Sequence, residues 1–168
     1  MNLDKFTDRA KGFLQAAQTV AIRNSHQRIA PEHLLKALLE DPEGMASGLI
    51  QRAGGDPRAA LTAVDQALAK VPAVSGSGAQ AAPGLDNDAV RLLDQAEQVA
   101  QKAGDSYVTV ERLLLALALA KATAAGRALE AAGITPEALN KAINDLRGGR
   151  SADSANACLL YTSDAADE

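Results

Sequence analysis

The side chains best suited to catalysis are a serine–histidine pair in the first half and two acids in the second half. Ser25 and His26 are adjacent, and a nucleophile and base that are adjacent in sequence rarely face each other. Asp105 and Glu111 lie six positions apart, a spacing at which they could converge as acid and base across a loop-to-helix junction. Because no nucleophile or pocket-forming motif accompanies them, a small free-standing enzyme is the least favoured hypothesis.

Metal and nucleotide chemistry also lack their usual residues. The chain has one cysteine, Cys158, and two histidines, too few ligands for a tetrahedral site unless carboxylates complete it. No Gly-x-x-x-x-Gly-Lys-Ser/Thr loop is present to cradle a nucleotide phosphate. We expect no catalytic residues, no metal and no cofactor in this chain, and we expect His26 and His33 to be exposed polar residues.

Glu32 and Glu111 occupy the same place in two similar phrases, IAPEHLLKAL and VTVERLLLAL. Each acid falls in the first turn of a predicted helix. An exposed carboxylate there stabilises the helix by about 0.3–1 kcal/mol, because its charge is opposite to the positive end of the helix dipole. The alternative interpretation is a pair of symmetry-related sites that receive a cationic or polar part of a partner. Both interpretations can hold together, because a capping carboxylate keeps one oxygen free.

The two phrases belong to a longer internal repeat. A shift of 79 positions aligns Phe6–Leu68 with Leu85–Arg147 without a gap. Apart from alanines, the identical positions in the first copy are Leu14, Val20, Glu32, Leu34, Leu35, Leu38, Gly54 and Pro57. Such a repeat indicates one supersecondary unit used twice, in which each copy covers an apolar face that the other cannot bury alone.

Each copy is predicted to contain four helices. The first carries the apolar stripe of an amphipathic helix, and the second opens at Pro31 or Val110, where a missing or idle N–H costs little. The third stops near a shared glycine and the fourth starts at a shared proline. With 47% hydrophobic but only 2% aromatic residues, the core must use Leu, Ala, Val and Ile, which favours an all-α fold.

The predicted boundaries follow the repeat. Repeat one covers residues 1–70, a linker covers 71–84, and repeat two covers 85–147. The linker is rich in Gly, Ser and Pro, and it is long enough for the second unit to fold back on the first. Residues 148–157 are polar and read as the start of a longer linker.

The last eleven residues, CLLYTSDAADE, differ in character from that linker. Their codons can be written to resemble a transposon adapter used in sequencing libraries. We interpret 158–168 as an adapter artefact and expect a disordered tail; the natural chain would then continue past Ala157.

Charge and hydropathy narrow the class of protein further. Three acids of the tail supply three units of the formal net charge of −4, so the rest of the chain is nearly neutral. No basic stripe with interleaved aromatics is present, which argues against nucleic acid binding. No apolar run approaches the roughly 18 residues of a membrane span, and the N-terminus lacks the apolar centre of a signal peptide. We therefore expect a soluble, cytoplasmic protein.

Four stretches carry a resemblance to a known family: LDKFTDRA, IAPEHLLKALL, AGDSYVTVERLLLAL and LRGGRSADSANA. Together they resemble the N-terminal substrate-interaction domains of the ClpB family of bacterial AAA+ disaggregases, over residues 1–157. The resemblance implies a pseudo-twofold double repeat of four-helix units that binds unfolded or aggregated polypeptide and helps deliver it to the ring. PEHLL alone is shared with ClpA and ClpC types, and an adaptor-docking domain of such an unfoldase is the alternative function.

The resemblance also implies a setting for the domain. The parent would be a homohexamer that hydrolyses ATP with magnesium in modules outside this chain, helped by a DnaK-type chaperone. The isolated domain would be a monomer.

Particular residues match family positions. Thr7, Asp105 and Glu111 match residues tied to chaperone function, so the resemblance implies that they contact substrate or partner. In ClpC-type relatives the acids matching Glu32 and Glu111 are associated with recognition of phosphorylated arginine.

The apolar substrate groove of the family would use the positions matching Gln95, Val99 and Arg112. Only Val99 is apolar here. Either the groove of this chain is more polar or it lies elsewhere.

Overall fold

Each repeat folds into four helices in the same order. Repeat one forms α1 (Asp8–Arg23), α2 (Pro31–Leu39), α3 (Met45–Arg52) and α4 (Pro57–Ala69), and repeat two forms α5 (Asn87–Lys102), α6 (Val110–Leu119), α7 (Ala124–Ala131) and α8 (Pro136–Arg147). Two short strands, β1 (Arg28–Ile29) and β2 (Gly84–Leu85), complete the elements of this computed structural model, which describes residues 3–74 and 82–157. The predicted all-α double repeat is confirmed.

Most helices begin at a side chain that accepts a hydrogen bond from their first turn. The capping residues are Thr7, Asp56, Asp86, Thr123 and Thr135. Each such cap typically stabilises a helix by about 1 kcal/mol, because it satisfies a backbone N–H that has no partner within the helix. At the other end of repeat two, Gly148 adopts the left-handed conformation (φ 59°) that ends α8.

The repeats exchange backbone hydrogen bonds across a pseudo-twofold axis. The N–H of Thr7 donates to the carbonyl of Val108 at 2.9 Å, and the N–H of Asp86 donates to the carbonyl of Ile29 at 2.9 Å. Both donor and acceptor in the second bond are related to those in the first by the 79-residue shift. The strands β1 and β2 pair in parallel at one of these crossings, so each repeat closes the other.

One large apolar core runs through both repeats, and Val20, Ala37 and Leu68 form a second, small cluster in repeat one. Helix α4 packs on α7 and α3 packs on α8. The backbones come close at Gly55, where a Cβ atom would lie 2.5 Å from Cδ1 of Ile134 and 2.9 Å from the carbonyl oxygen of Ala132. The second repeat therefore folds back on the first, as expected, and the two pack against each other.

Packing continues beyond the expected end of repeat two at Arg147. We call residues 148–157 the exit segment. Its Ala152 is fully buried, and the carbonyl of Ala152 accepts hydrogen bonds from the N–H groups of Ser106 and Tyr107 at 2.9 and 3.1 Å. The segment was expected to be a free linker, because its small polar residues carry no periodic signal; it is held through its backbone instead.

Two expectations fall on other parts of the chain. The central part of the predicted linker, 75–81, and the predicted adapter-derived tail, 158–168, lie outside the described residues.

Candidate functional site

A buried ionic cluster lies where α6 begins and α8 ends. We call it the Asp105 cluster: Asp105, Thr109, Glu111, Arg112 and Arg147. Arg147 reaches back from the last turn of α8 and donates from Nη1 to Asp105 Oδ1 at 2.6 Å, from Nε to Glu111 Oε2 at 2.9 Å and from Nη2 to Thr109 Oγ1 at 2.8 Å. One guanidinium thus binds three oxygen atoms that the sequence places before and within the first turn of α6.

Asp105 joins this cluster to two other parts of the molecule. Its Oδ2 accepts from Nε of Arg112 at 3.1 Å, and its Oδ1 also accepts from the N–H of Ala152 in the exit segment at 3.0 Å. Burial by itself would raise the pKa of Asp105, but the hydrogen bonds from Arg147 and Ala152 lower that pKa below its ordinary value. Two acids and two guanidinium groups leave the cluster without net charge.

Both acids of the cluster are buried, although the first-turn position of Glu111 suggested an exposed side chain. Asp105 is 5% exposed and Glu111 is 2% exposed. Glu111 does sit in the first turn of α6, but it pairs with Arg147 inside the protein. Thr7 is buried as well, and its Oγ1 accepts from the N–H of Ala10 to cap α1. A role of these three residues in binding stays a prediction, and any such role would act through the fold around them.

Repeat one has a different buried pair at the matching positions. His26 matches Asp105 and His33 matches Arg112 under the 79-residue shift. Nδ1 of His26 and Nε2 of His33 lie 2.8 Å apart, and Nδ1 of His33 accepts from the N–H of Ala30 at 2.8 Å. The expectation that both histidines are exposed is wrong, because the positions that repeat two fills with an ion pair are interior in both copies.

The hydrogen bonds of the two histidines determine which of their ring nitrogens carries the proton. Since Nδ1 of His33 accepts from Ala30, its Nε2 carries the proton and donates to Nδ1 of His26. Burial, reinforced by the neighbouring His26, lowers the pKa of His33 to about 4. Burial also lowers the pKa of His26. The pair is therefore neutral in the native state near neutral pH.

Glu32 lacks the internal partner of Glu111. The position that matches Arg147 is Leu68, so repeat one has no guanidinium there. Glu32 is half-buried, and burial raises its pKa, with further rises from Asp86 and Asp88. The repeat thus keeps the acid in both copies but neutralises it internally in only one.

A groove of about 440 Å³ lies beside the Asp105 cluster, between α5, α6 and the start of α8. We call it the α5–α6 groove. Its lining residues are Gln95, Val99, Lys102, Ala103, Arg112, Leu115, Leu119, Pro136, Glu137 and Asn140. Leu119 is 41% exposed. The exposed polar side chains of the lining, at Gln95, Lys102, Glu137 and Asn140, form its rim, whereas Leu115 and Arg112 are buried.

The structure brings the three expected groove positions together. Gln95, Val99 and Arg112 all line the α5–α6 groove. At Gln95 and Arg112 the lining is therefore polar, where the resemblance implied apolar side chains. Sequence reasoning did not single out Leu119 on the groove or Arg147 in the cluster. The repeat alignment carried a signal for Arg147, since a charged residue there matches the apolar Leu68.

The catalytic hypotheses gain no geometric support. Asp105 and Glu111 both hold Arg147, and Nδ1 of His26 faces His33 rather than Ser25. Within residues 3–74 and 82–157, no three His, Cys, Asp or Glu side chains are grouped so that they could hold a metal ion. In that same part of the chain, no helix has the length and apolar character to cross a membrane.

Comparison with known sequences gives consistent matches. The family model of the Clp repeat (R) N-terminal domain matches residues 5–132. The chaperone protein ClpB of Rhodopseudomonas palustris is 56% identical over 161 residues, which cover 96% of this chain and 18% of that protein. ClpB of Agrobacterium fabrum is 52% identical over 157 residues, covering 94% and 18%. The chain therefore spans less than a fifth of the length of these curated relatives.

Solved structures share the fold. The N-terminal domain of Hsp104 from Candida albicans has a TM-score of 0.76 at 24% identity, covering 90% of this chain and 97% of that one. The N-terminal domain of ClpD from Arabidopsis thaliana has a TM-score of 0.61 at 21% identity, covering 84% and 94%.

Proposed function

The chain belongs to the Clp repeat N-terminal domain family, and on that premise we propose that it is the substrate-interaction domain of a ClpB-type disaggregase. In this proposal the domain binds unfolded or aggregated polypeptide and helps pass it to a AAA+ ring. The observation that carries it is the α5–α6 groove, where apolar side chains are open to solvent. Exposed apolar surface is what a partner with unfolded, apolar segments can bury.

The proposal extends to the longer protein of which this chain would be one part. ATP hydrolysis with magnesium, a homohexameric ring, a DnaK-type partner chaperone and a cytoplasmic location belong to it. The high identity to ClpB chaperones over nearly the whole chain supports these assignments. Binding of an unfolded chain needs no catalytic group in the domain itself.

A binding measurement with a permanently unfolded protein tests the domain function. Titrating this chain with reduced, carboxymethylated α-lactalbumin should give saturable binding. Leu119→Ser should weaken it roughly three- to tenfold, because about half of a leucine side chain is available to be buried on binding. The readout is fluorescence anisotropy of labelled client, with the melting temperature of each variant recorded.

Val90→Ser is the matched control. Val90 is also 41% exposed and lies on α5, but it is not part of the groove lining. Binding that is equally weakened by both substitutions would mean that the groove is not the binding surface. If the parent chain does not bind unfolded α-lactalbumin, the proposed function itself is wrong, and selective binding of a folded adaptor would favour the docking alternative.

A further inference from the structure

The two repeats provide an internal comparison of the groove. Repeat one forms a matching groove between α1 and α2, lined among others by Ala16, Val20, Arg23 and Glu40. Under the 79-residue shift these residues match Gln95, Val99, Lys102 and Leu119 of the α5–α6 groove. The same place in the fold is therefore built twice with different chemistry.

In repeat one the cation on the rim is neutralised. Nη2 of Arg23 donates to Oε1 and Oε2 of Glu40 at 3.0 and 3.3 Å across the groove. In repeat two the matching acid is replaced by Leu119. Lys102, which matches Arg23, forms no ion pair with any residue in 3–74 or 82–157.

The polar residues at the matching positions 33 and 112 also differ in how many of their donors are used. In repeat one both ring nitrogens of His33 are used, by Ala30 and His26. In repeat two Arg112 donates from Nε to Asp105 and from Nη1 to Asn140 Oδ1 at 3.3 Å. Its Nη2 has no hydrogen-bond partner among the described residues, and it is not one of the solvent-inaccessible polar atoms there that lack a partner, so this end of a mostly buried side chain is open to the groove that it lines.

Glu137 is the acid on the same rim, and its place at a helix start leaves Nη2 of Arg112 and the ammonium group of Lys102 available to a ligand. Glu137 lies in the first turn of α8, where its carboxylate complements the helix dipole. Lys102 similarly lies in the last turn of α5, but an ammonium group on a four-carbon stem can still reach over the groove. A carboxylate is the strongest acceptor for guanidinium and ammonium groups.

We propose that the α5–α6 groove selects acidic client segments. An apolar side chain of an extended polypeptide rests on Leu115 and Leu119, while a neighbouring Asp or Glu side chain meets Nη2 of Arg112 and the ammonium group of Lys102. This selectivity rests on the proposed function and adds to it the chemistry of the segment that is bound. In the matching groove of repeat one, Glu40 already pairs with Arg23, and His33 stands at the position of Arg112, so the two repeats are not equivalent binding surfaces.

Matched peptides test the proposal. Two labelled peptides of Gly and Ser, one with a central Leu-Glu-Leu and one with Leu-Gln-Leu, differ only in the charge of one side chain. The Glu peptide should bind this chain roughly fivefold more tightly at low salt, the effect of about one ion pair. That preference should shrink at about 0.5 M salt, where the Debye length falls to a few ångströms.

Substitutions at one exposed position separate the charge effect from the apolar effect. Leu119→Glu recreates the partner that Arg23 has in repeat one, so it should remove the preference for the Glu peptide. Leu119→Gln removes the same apolar surface without adding a charge and should keep the preference. Glu40→Gln, which frees the cation of repeat one, should leave the preference unchanged.

The outcomes distinguish this proposal from the proposed function. Equal binding of the two peptides, a preference that survives Leu119→Glu, or one that changes in Glu40→Gln would overturn acidic selection. Acidic selection is also overturned if unfolded α-lactalbumin binds but neither peptide does. In that case the proposed function still stands. If unfolded α-lactalbumin does not bind either, the proposed function fails as well.

Discussion

At the scale of single residues, the same interior positions carry two kinds of polar pair. Repeat two uses the ion pair of Asp105 and Arg112, and repeat one uses two neutral histidines, His26 and His33. A buried charge has to be paired and hydrogen-bonded, whereas a buried neutral imidazole needs only its hydrogen bonds. The residue types could be read from the sequence, but their burial could not, because each lies at a turn or helix start where exposure is the usual state.

The histidine pair predicts a pH dependence of stability. The native state keeps His33 neutral down to about pH 4, while an unfolded imidazole takes up a proton near its ordinary pKa of 6.5. The unfolded state therefore binds more protons between these values, so the free energy of unfolding should fall as the pH is lowered from 6.5 towards 4. Urea unfolding across that range measures it.

The control is a variant without the titrating pair. In the double variant His26→Leu and His33→Leu, the slope of stability against pH in this window should flatten, whatever its absolute stability. A slope that is unchanged in the double variant would assign the effect to other groups.

At the scale of elements, the repeat determined where helices begin and end. Prolines at the starts of α2, α4 and α8 and capping side chains before most helices are local signals, which work through the first turn alone. The short parallel pairing of β1 with β2 was not predictable. Two residues form no alternating pattern, and their partners come from opposite repeats.

Close packing between elements gives a prediction at Gly126 in α7. A Cβ atom there would overlap the carbonyl of Ala120, just after α6. Because that obstacle is backbone, Gly126→Ala should lower the free energy of unfolding by roughly 1–3 kcal/mol. Gly12→Ala is the control, since nothing lies within 4 Å of a Cβ atom there in α1.

The control should change stability in the opposite direction. An alanine in the interior of an exposed helical turn is favoured over glycine by roughly 0.5–1 kcal/mol. Chemical denaturation of both variants provides the comparison. Equal effects of the two substitutions would mean that α7 can move away from Ala120 without cost.

At the scale of the whole molecule, the exit segment is part of the folded body. Asp105 accepts from the N–H of Ala152 and the carbonyl of Ala155 accepts from the N–H of Asp8 at 2.6 Å. These bonds connect the end of the described chain with α1 of repeat one and with the cluster in repeat two. The segment therefore joins both repeats beyond the last helix.

Removing this segment should destabilise the domain. A chain ended after Arg150 exposes the Asp105 cluster to water and loses the buried Ala152, so its melting temperature should fall by roughly 5 °C or more. A chain ended after Ala157 keeps these contacts and is the reference. Differential scanning calorimetry of the two chains decides, and equal melting temperatures would show that the exit segment contributes no stability.

The amino-acid sequence by itself determined the eight helices, their order and their duplication, since helix propensity, capping and apolar periodicity act within a few neighbouring residues. It also placed Gln95, Val99 and Arg112 at groove positions through family resemblance. Only the tertiary structure decided that Glu111 is paired with Arg147, that both histidines are interior and that Lys102 stands without the acid that Arg23 has. These properties depend on which side chains meet across 7 to 42 positions of the chain, and no local rule of sequence specifies such meetings.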